Sequence, residues 1–387
     1  MDCLKTHKYV DQVSFTLLTA LPVLFSSTFL SPSEALLVVK LAATLSLFLM
    51  LSHGMVTVPY FLSTSHIDNV ESCRNIVLAG LLVTLIGAVI LAAKLKIIDA
   101  FLASYQCVAL YVFVTLLDVS RRAKYKYGMD IWAMLMSLSS ACSLSIFIMI
   151  GFINNVTDLV TSIVMSACLG LILGLCASRA ATLGRVCFTN IALYFSRGAM
   201  NTSSILLFWF GTNAIFLLFS DGLAPDVVVA SRIAIMVMGF SSVYFSAKEN
   251  QLQPLLTTMV SQRKSTEISL AESSYLKQSN RVMLAVTSIA IPLFLSFVEL
   301  NAINVAIFVI VILSQTVIAK SRFDFWLLKS YVKLRFVLIS NVFAVFLSLL
   351  CFAILSKFTD LAIALAFFAL VVVQASMGKL VRKKLGL

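Results

Sequence analysis

The sequence predicts an all-α, polytopic membrane protein: about twelve transmembrane helices in two lobes of about six, with both termini cytoplasmic. Three observations carry this. The 387 residues are 60% hydrophobic and only 12% charged, with a mean hydropathy of +1.02, far from an ordinary soluble domain. Apolar runs long enough to cross about 30 Å of hydrocarbon as helices recur along the whole chain, half of them on each side of segment 177–198. The 29 Lys and Arg alternate with those runs. With the N-terminus inside, all but Lys94, Lys96, Lys357, Lys40 and Arg232 fall on the inner side, so the net charge of +12 is a positive-inside bias and does not point to nucleic acid.

The first run, 13–30, follows a weakly basic start as a secretory leader would, but no small-x-small cleavage pattern accompanies it, so it reads as a retained helix. Pro22 lies inside it and predicts a kink or a freed carbonyl, a feature that a hinge can use. The run 35–58 carries Lys40 and, near its inner end, His53. A lone His there is read as packing, against the alternative of a proton carrier. Runs 76–93 and 98–117 are separated by Lys94 and Lys96. Run 131–152 opens beside Trp132 at an inner helix end, where aromatic anchors sit. In 157–176, Gly170-Leu-Ile-Leu-Gly174 is a small-xxx-small pattern for close helix packing.

Residues 177–198 read as a cytoplasmic linker, dividing an N-terminal lobe, 1–176, from a C-terminal lobe, 199–387. Within the second lobe, 199–220 holds Trp209 and Asn213, 227–247 holds Arg232, and 282–298 contains Pro292, a second candidate hinge. Runs 302–319, 336–356 and 360–378 complete the set, with Trp326 near an inner end. Outer connections are too short for an external domain. The inner ones, notably 177–198 and 248–281, mix basic, polar and apolar residues and are expected to lie on the anionic leaflet as amphipathic segments.

Lys40 and Arg232 are the candidate binding residues. Leu30-Ser-Pro-Ser-Glu34 leading to Lys40 resembles Leu223-Ala-Pro-Asp226 leading to Arg232, each cation six positions after an acid, which reads as an internal repeat. A cation in hydrocarbon costs roughly 2.5–3.5 kcal/mol on insertion scales, so an intramembrane Lys or Arg is a functional hypothesis by default. The repeat implies parallel halves about an axis along the membrane normal, with both cations about 9 Å below the outer helix ends, in a central cavity. The competing reading is snorkelling, since each side chain tilts towards the outer surface. Pairing with Glu34 or Asp226 is disfavoured, because six residues turn a helix through about 600°. Trp209 sits mid-helix, away from an interfacial belt, and its indole N–H needs a partner. Asn213 is one choice of partner, or lines a cavity with it; Trp209 itself serves either core packing or stacking on a sugar or apolar ligand.

No acid lies deep within a predicted span; Asp118, Asp158, Glu299 and Asp360 sit near ends. There is no Walker A loop, no metal-ligand spacing and no Gly-x-Ser-x-Gly elbow, so no cofactor, metal or enzymatic activity is expected. The eight cysteines form no CxxC and no exterior pair, hence no disulfide framework. Asn155-Val-Thr157 and Asn201-Thr-Ser203 match the glycosylation pattern but hug helices and read as chance.

Twelve runs in two halves, Leu30-Ser-Pro-Ser-Glu34 entering the second helix, Asp226 to Arg232-Ile-Ala entering the eighth, and the polar stretch Lys248–Arg281 with Pro254 and Arg263-Lys264 together resemble the lipid-linked oligosaccharide flippases of the multidrug/oligosaccharidyl-lipid/polysaccharide (MATE/MOP) exporter superfamily. The resemblance covers nearly the whole chain. It implies flipping of a polyprenyl-pyrophosphate-linked oligosaccharide, an O-antigen or capsule repeat unit, by alternating access in a bacterial inner membrane. It also implies Lys40 and Arg232 on the pyrophosphate, a proton or sodium as coupling ion, and other polysaccharide-assembly membrane proteins as partners. The first and seventh helices lack the charges that lipid-II-type relatives place there. Alternatives are an ion-coupled multidrug exporter, expected to carry a cavity acid, and a polysaccharide polymerase or ligase, expected to carry a large outer loop.

Overall fold

The computed structural model describes residues 2–57, 76–89, 100–126, 129–177, 188–331 and 334–384. Its helices are α1 (Asp2–Phe29), α2 (Pro32–Ser52), α3 (Ile76–Val89), α4 (Tyr105–Lys126), α5 (Asp130–Met149), α6 (Val156–Ala177), α7 (Phe188–Leu218), α8 (Pro225–Gly239), α9 (Ser241–Ser261), α10 (Ser265–Phe297), α11 (Ala302–Ser330), α12 (Leu334–Leu355) and α13 (Ala362–Lys384). Each apolar run of the sequence overlaps one of them. Among the described residues nine stretches are long and apolar enough to cross a membrane, and Ile76–Val89 and Ile205–Leu218 are shorter apolar helices. The chain is therefore an all-α, multi-pass membrane protein.

Two compact units make up the fold: Met1–Trp209 with Phe216–Leu218, and Phe210–Ile215 with Phe219–Leu387. The division passes through α7. In the first unit α1, α4 and α6 pack on α5, and α2 packs on α1 and α4. Small side chains set one of these contacts. A Cβ at Gly170 would run into Ser140 Oγ and the Met136 carbonyl, and one at Gly174 into the Met136 side chain; the small-xxx-small pair thus seats α6 directly against α5. Phe48 of α2 stacks on Tyr111 of α4 at 4.7 Å. In the second unit α13 packs on α11 and α12, while α8, α9 and α10 surround α11. There Tyr275 meets Trp326 edge-on at 5.0 Å and donates its hydroxyl to the Ala319 carbonyl, tying α10 to α11.

Helix starts explain much of the repeated sequence pattern. In α2, Ser31 and Glu34 form a capping box, with Ser31 Oγ and the Glu34 carboxylate satisfying each other's first-turn backbone N–H groups, and Pro32 occupies the first turn. In α8, Pro225 takes the same first position and Asp226 lies in the first turn one place after it, without a capping bond. Pro there loses no hydrogen bond and an acid favours the positive end of the helix dipole. Asn155 accepts from the Asp158 N–H at 2.9 Å and so caps α6.

Several boundaries differ from the sequence expectation. The run 98–117 is displaced: α4 begins at Tyr105 after a short 3-10 turn and continues to Lys126, and Arg121 and Arg122 both pair with Asp118 of the same helix where the sequence suggested an inner loop. Residues 188–198 of the expected linker are the start of α7; 178–187 lie outside the described residues, as do Arg74, Lys94 and Lys96. The expected amphipathic stretch 248–281 is two helices, α9 and α10, joined by a tight turn at 262–264 in which Arg263 adopts a positive φ of 56°. Pro22 and Pro292 both lie within helices that continue past them. His53 opens a π-helical turn that extends α2 to Thr57.

Candidate functional site

Each unit buries one of the two predicted cations. Lys40 lies on α2, 4% exposed, and Arg232 on α8, 8% exposed. Counted from the first-turn proline, each is about two turns into its helix, roughly 10–12 Å. Neither side chain is spread over an exposed surface, so snorkelling into headgroups does not describe them. Burial of a charge requires compensation by hydrogen bonds or counter-charges.

For Arg232 part of that compensation is Asn213. The guanidinium Nη1 donates to Asn213 Oδ1 at 2.7 Å, and the Asn213 amide donates to Thr212 Oγ1 at 2.8 Å. Asn213 is neutral, so this bond fixes the orientation of the guanidinium fork without cancelling its charge. Asn213 is consequently not the partner of Trp209. The indole Nε1 instead donates to the Ala43 carbonyl at 3.0 Å and to Ser46 Oγ at 2.9 Å, clamping Trp209, 3% exposed, onto α2 one turn beyond Lys40. This is the packing alternative for Trp209. Its partners are more than 160 positions away in the chain, a separation no local pattern reveals. The Lys40 carbonyl accepts from Thr44 Oγ1 at 2.9 Å, part of the same polar stretch of α2.

The structure adds a group that sequence reading missed. Asp11, on α1, is fully buried and within a helix apolar enough to span from His7 to Phe29. Its carboxylate accepts from Arg121 and Tyr125 of α4 and from Ser137 of α5. Arg121 also bonds Asp118 at 2.6 Å and lies over the Phe15 ring at 4.0 Å, while Arg122 closes the far side of Asp118 at 2.9 Å. Two carboxylates thus face two guanidinium groups. The helix extends ahead of the expected run 13–30, and its apolar span begins at His7; Asp11 therefore lies inside a span but about one turn from its end, and in sequence it resembles part of an inner tail because its partners lie on α4 and α5. Asp118 followed by Arg121 and Arg122 is the one legible part, a helical i,i+3 and i,i+4 pairing.

Solved structures with this fold include an inward-facing multidrug resistance MATE family transporter of the MOP superfamily, with a TM-score of 0.64 at 13% identity over 96% of this chain and 92% of that one. The lipid II flippase MurJ in an inward closed conformation gives 0.67 at 10% identity, over 99% and 88%. A MOP superfamily transporter from Pyrococcus furiosus, described as having a binding pocket of reverse polarity, gives 0.61 at 14% identity, over 97% and 92%. No family model and no curated protein matches the chain. The chain has the MATE/MOP transporter fold.

Proposed function

We propose that this chain is a transporter that flips an anionic amphiphile across the membrane by alternating access, and that the amphiphile is a polyprenyl-pyrophosphate-linked oligosaccharide of the O-antigen or capsule type. The observation that carries the reading is the pair of buried cations, Lys40 and Arg232, one in each compact unit, on helices that open with the same proline and acid. A pyrophosphate suits both: a guanidinium offers a planar fork and an ammonium a point charge. Asn213 positions the fork, and Trp209 holds the stretch of α2 that follows Lys40. Pro22 and Pro292 serve as hinges, since each removes one backbone hydrogen bond from a long helix. That one solved transporter of this fold is described as having reversed pocket polarity supports a pocket charge that varies on this scaffold, and the lipid II flippase supports a lipid-linked cargo. A bacterial inner membrane, with a proton, sodium or the membrane potential as energy source, completes the proposal.

Asp11 is the one observation favouring the second reading, an ion-coupled multidrug exporter, which needs a buried acid. Its carboxylate is already engaged by Arg121, Tyr125 and Ser137, so it offers a cationic drug little unspent charge. The deciding experiment measures the leaflet in which the lipid carrier resides, in a deletion strain complemented with wild type or with Lys40→Ala plus Arg232→Ala. The flippase reading expects oligosaccharide stranded on the inner leaflet in the deletion and in the double variant, despite normal insertion of the variant. Unchanged sidedness together with greater sensitivity to cationic drugs would instead establish the exporter.

A further inference from the structure

A cleft of about 440 Å³ opens within the second unit where α10, α11 and α13 come together, lined by Glu272, Lys320, Asp324, Lys379, Arg382 and Lys383. Arg382 is the staple of this site. Its two terminal nitrogens each donate at 2.6 Å to the two oxygens of Glu272, and one also reaches Asp324 at 2.7 Å. One guanidinium thereby joins three helices, and both carboxylates of the cleft are consumed in doing so. Lys320, Lys379 and Lys383 are exposed, and among the described residues no carboxylate lies within ion-pair distance of them. The floor keeps one net negative charge, two carboxylates against one guanidinium, and the three lysines of the rim outweigh it by two, which makes the cleft an anion site by charge complementarity.

Its position selects the anion. The lysines follow directly on the apolar stretches of α11 and α13, and the basic end of those helices is the end that the charge distribution assigns to the inner leaflet. Leu276 of α10 forms part of the wall. Further along α10, Leu284, Ile291 and Leu295 are exposed at i, i+7 and i+11, a single stripe running away from the cleft into the span. A headgroup phosphate seated among the lysines would leave its acyl chain on that stripe, whereas free phosphate would make no use of it. We infer that this cleft binds the phosphate of an anionic glycerophospholipid of the inner leaflet, with Lys320, Lys379 and Lys383 as ligands and Arg382 as the positioning residue. Basic pockets between transmembrane helices at the cytoplasmic side take such headgroups.

The test uses the full chain in phosphatidylcholine nanodiscs doped with phosphatidylglycerol, with native mass spectrometry counting the phospholipid that remains bound after release. Wild type retains phosphatidylglycerol over phosphatidylcholine by about tenfold, as expected of several lysines each contributing near the surface. Lys320→Gln/Lys379→Gln/Lys383→Gln loses that preference, and Lys320→Arg/Lys379→Arg/Lys383→Arg retains it. Equal retention of the two lipids by wild type overturns the inference, even if the glutamine variant does not fold. Undiminished preference in a folded glutamine variant overturns it as well. Displacement of phosphatidylglycerol by millimolar inorganic phosphate would assign the cleft to a soluble anion and sink the lipid assignment. No transported substrate enters this experiment, so it stands or falls apart from the flippase reading.

Discussion

Each unit is braced by one arginine held between two carboxylates, and the two braces differ in depth. In the first unit Arg121 joins Asp11 and Asp118 with no exposed surface, and Ser137, about 10 Å into α5 by helix rise, shares the Asp11 carboxylate. In the second, Arg382 joins Glu272 and Asp324 in the last turn of α13, with its side chain 21% exposed. The central contact is the same, although Arg122 also pairs with Asp118 in the first; the surroundings are not. A sealed ion pair depends on every partner being present, because water cannot take the place of a missing one. An open one shares its load with solvent and leaves neighbouring lysines free to meet a ligand. The first brace thus fixes α1, α4 and α5 together, while the second both joins helices and borders a cleft.

The largest effect is expected where the seal is complete. Arg121→Met leaves Asp11 buried without its counter-charge and should cost about 3–5 kcal/mol. In detergent this would be read as loss of the monodisperse peak, or a fall on the order of 10 °C in the thermal midpoint. Asp11→Asn and Asp118→Asn added to Arg121→Met should recover most of the loss, since neutral groups of similar shape replace a buried ion network at little cost. A single Arg121→Met variant as stable as wild type would mean that water reaches Asp11 and that the two braces do not differ as described.

Arg382→Met is expected to cost less, about 1–2 kcal/mol, because Glu272 and Asp324 can be hydrated once their partner is gone. High salt should reproduce part of the loss in wild type and leave the Arg121 brace unaffected, since screening acts on exposed charge. If molar salt lowered the stability of the first unit more than that of the second, exposure would not be what separates them.

The contrast between the braces also marks how far the sequence could be read. Among the described residues, hydropathy located all nine stretches long and apolar enough to span, because twenty apolar residues in a row have one economical fate in a bilayer. It failed where a helix leaves the hydrocarbon and stays helical: the first part of α7, the second half of α9 and the first half of α10 are polar enough to resemble loops. The displacement of α4 has the same origin. Lys40 and Arg232 were legible as cations set in apolar runs, and the structure buries both. The partners of Asp11, Trp209 and Arg382 were not legible, since each bond joins residues on different helices, from 58 to 166 positions apart, and a pattern within one helix carries no information about the helix that packs on it.

The smallest effect calibrates the other two. Lys264 and Glu267 pair at 2.9 Å at the start of α10, with both side chains nearly half exposed. The pair has the i,i+3 spacing of a helix surface, where Coulomb attraction in high dielectric is nearly offset by the entropy of holding two long side chains. Lys264→Gln should therefore change stability by no more than about 0.5 kcal/mol, within the scatter of a thermal-midpoint measurement. Ordered as Arg121, Arg382 and Lys264, the three substitutions form a series in exposure with the same kind of contact removed each time. A loss at Lys264 equal to that at Arg382 would show that the second brace is an ordinary surface pair, and that α10, α11 and α13 are held together by their apolar packing, with Tyr275 and Trp326 at its centre.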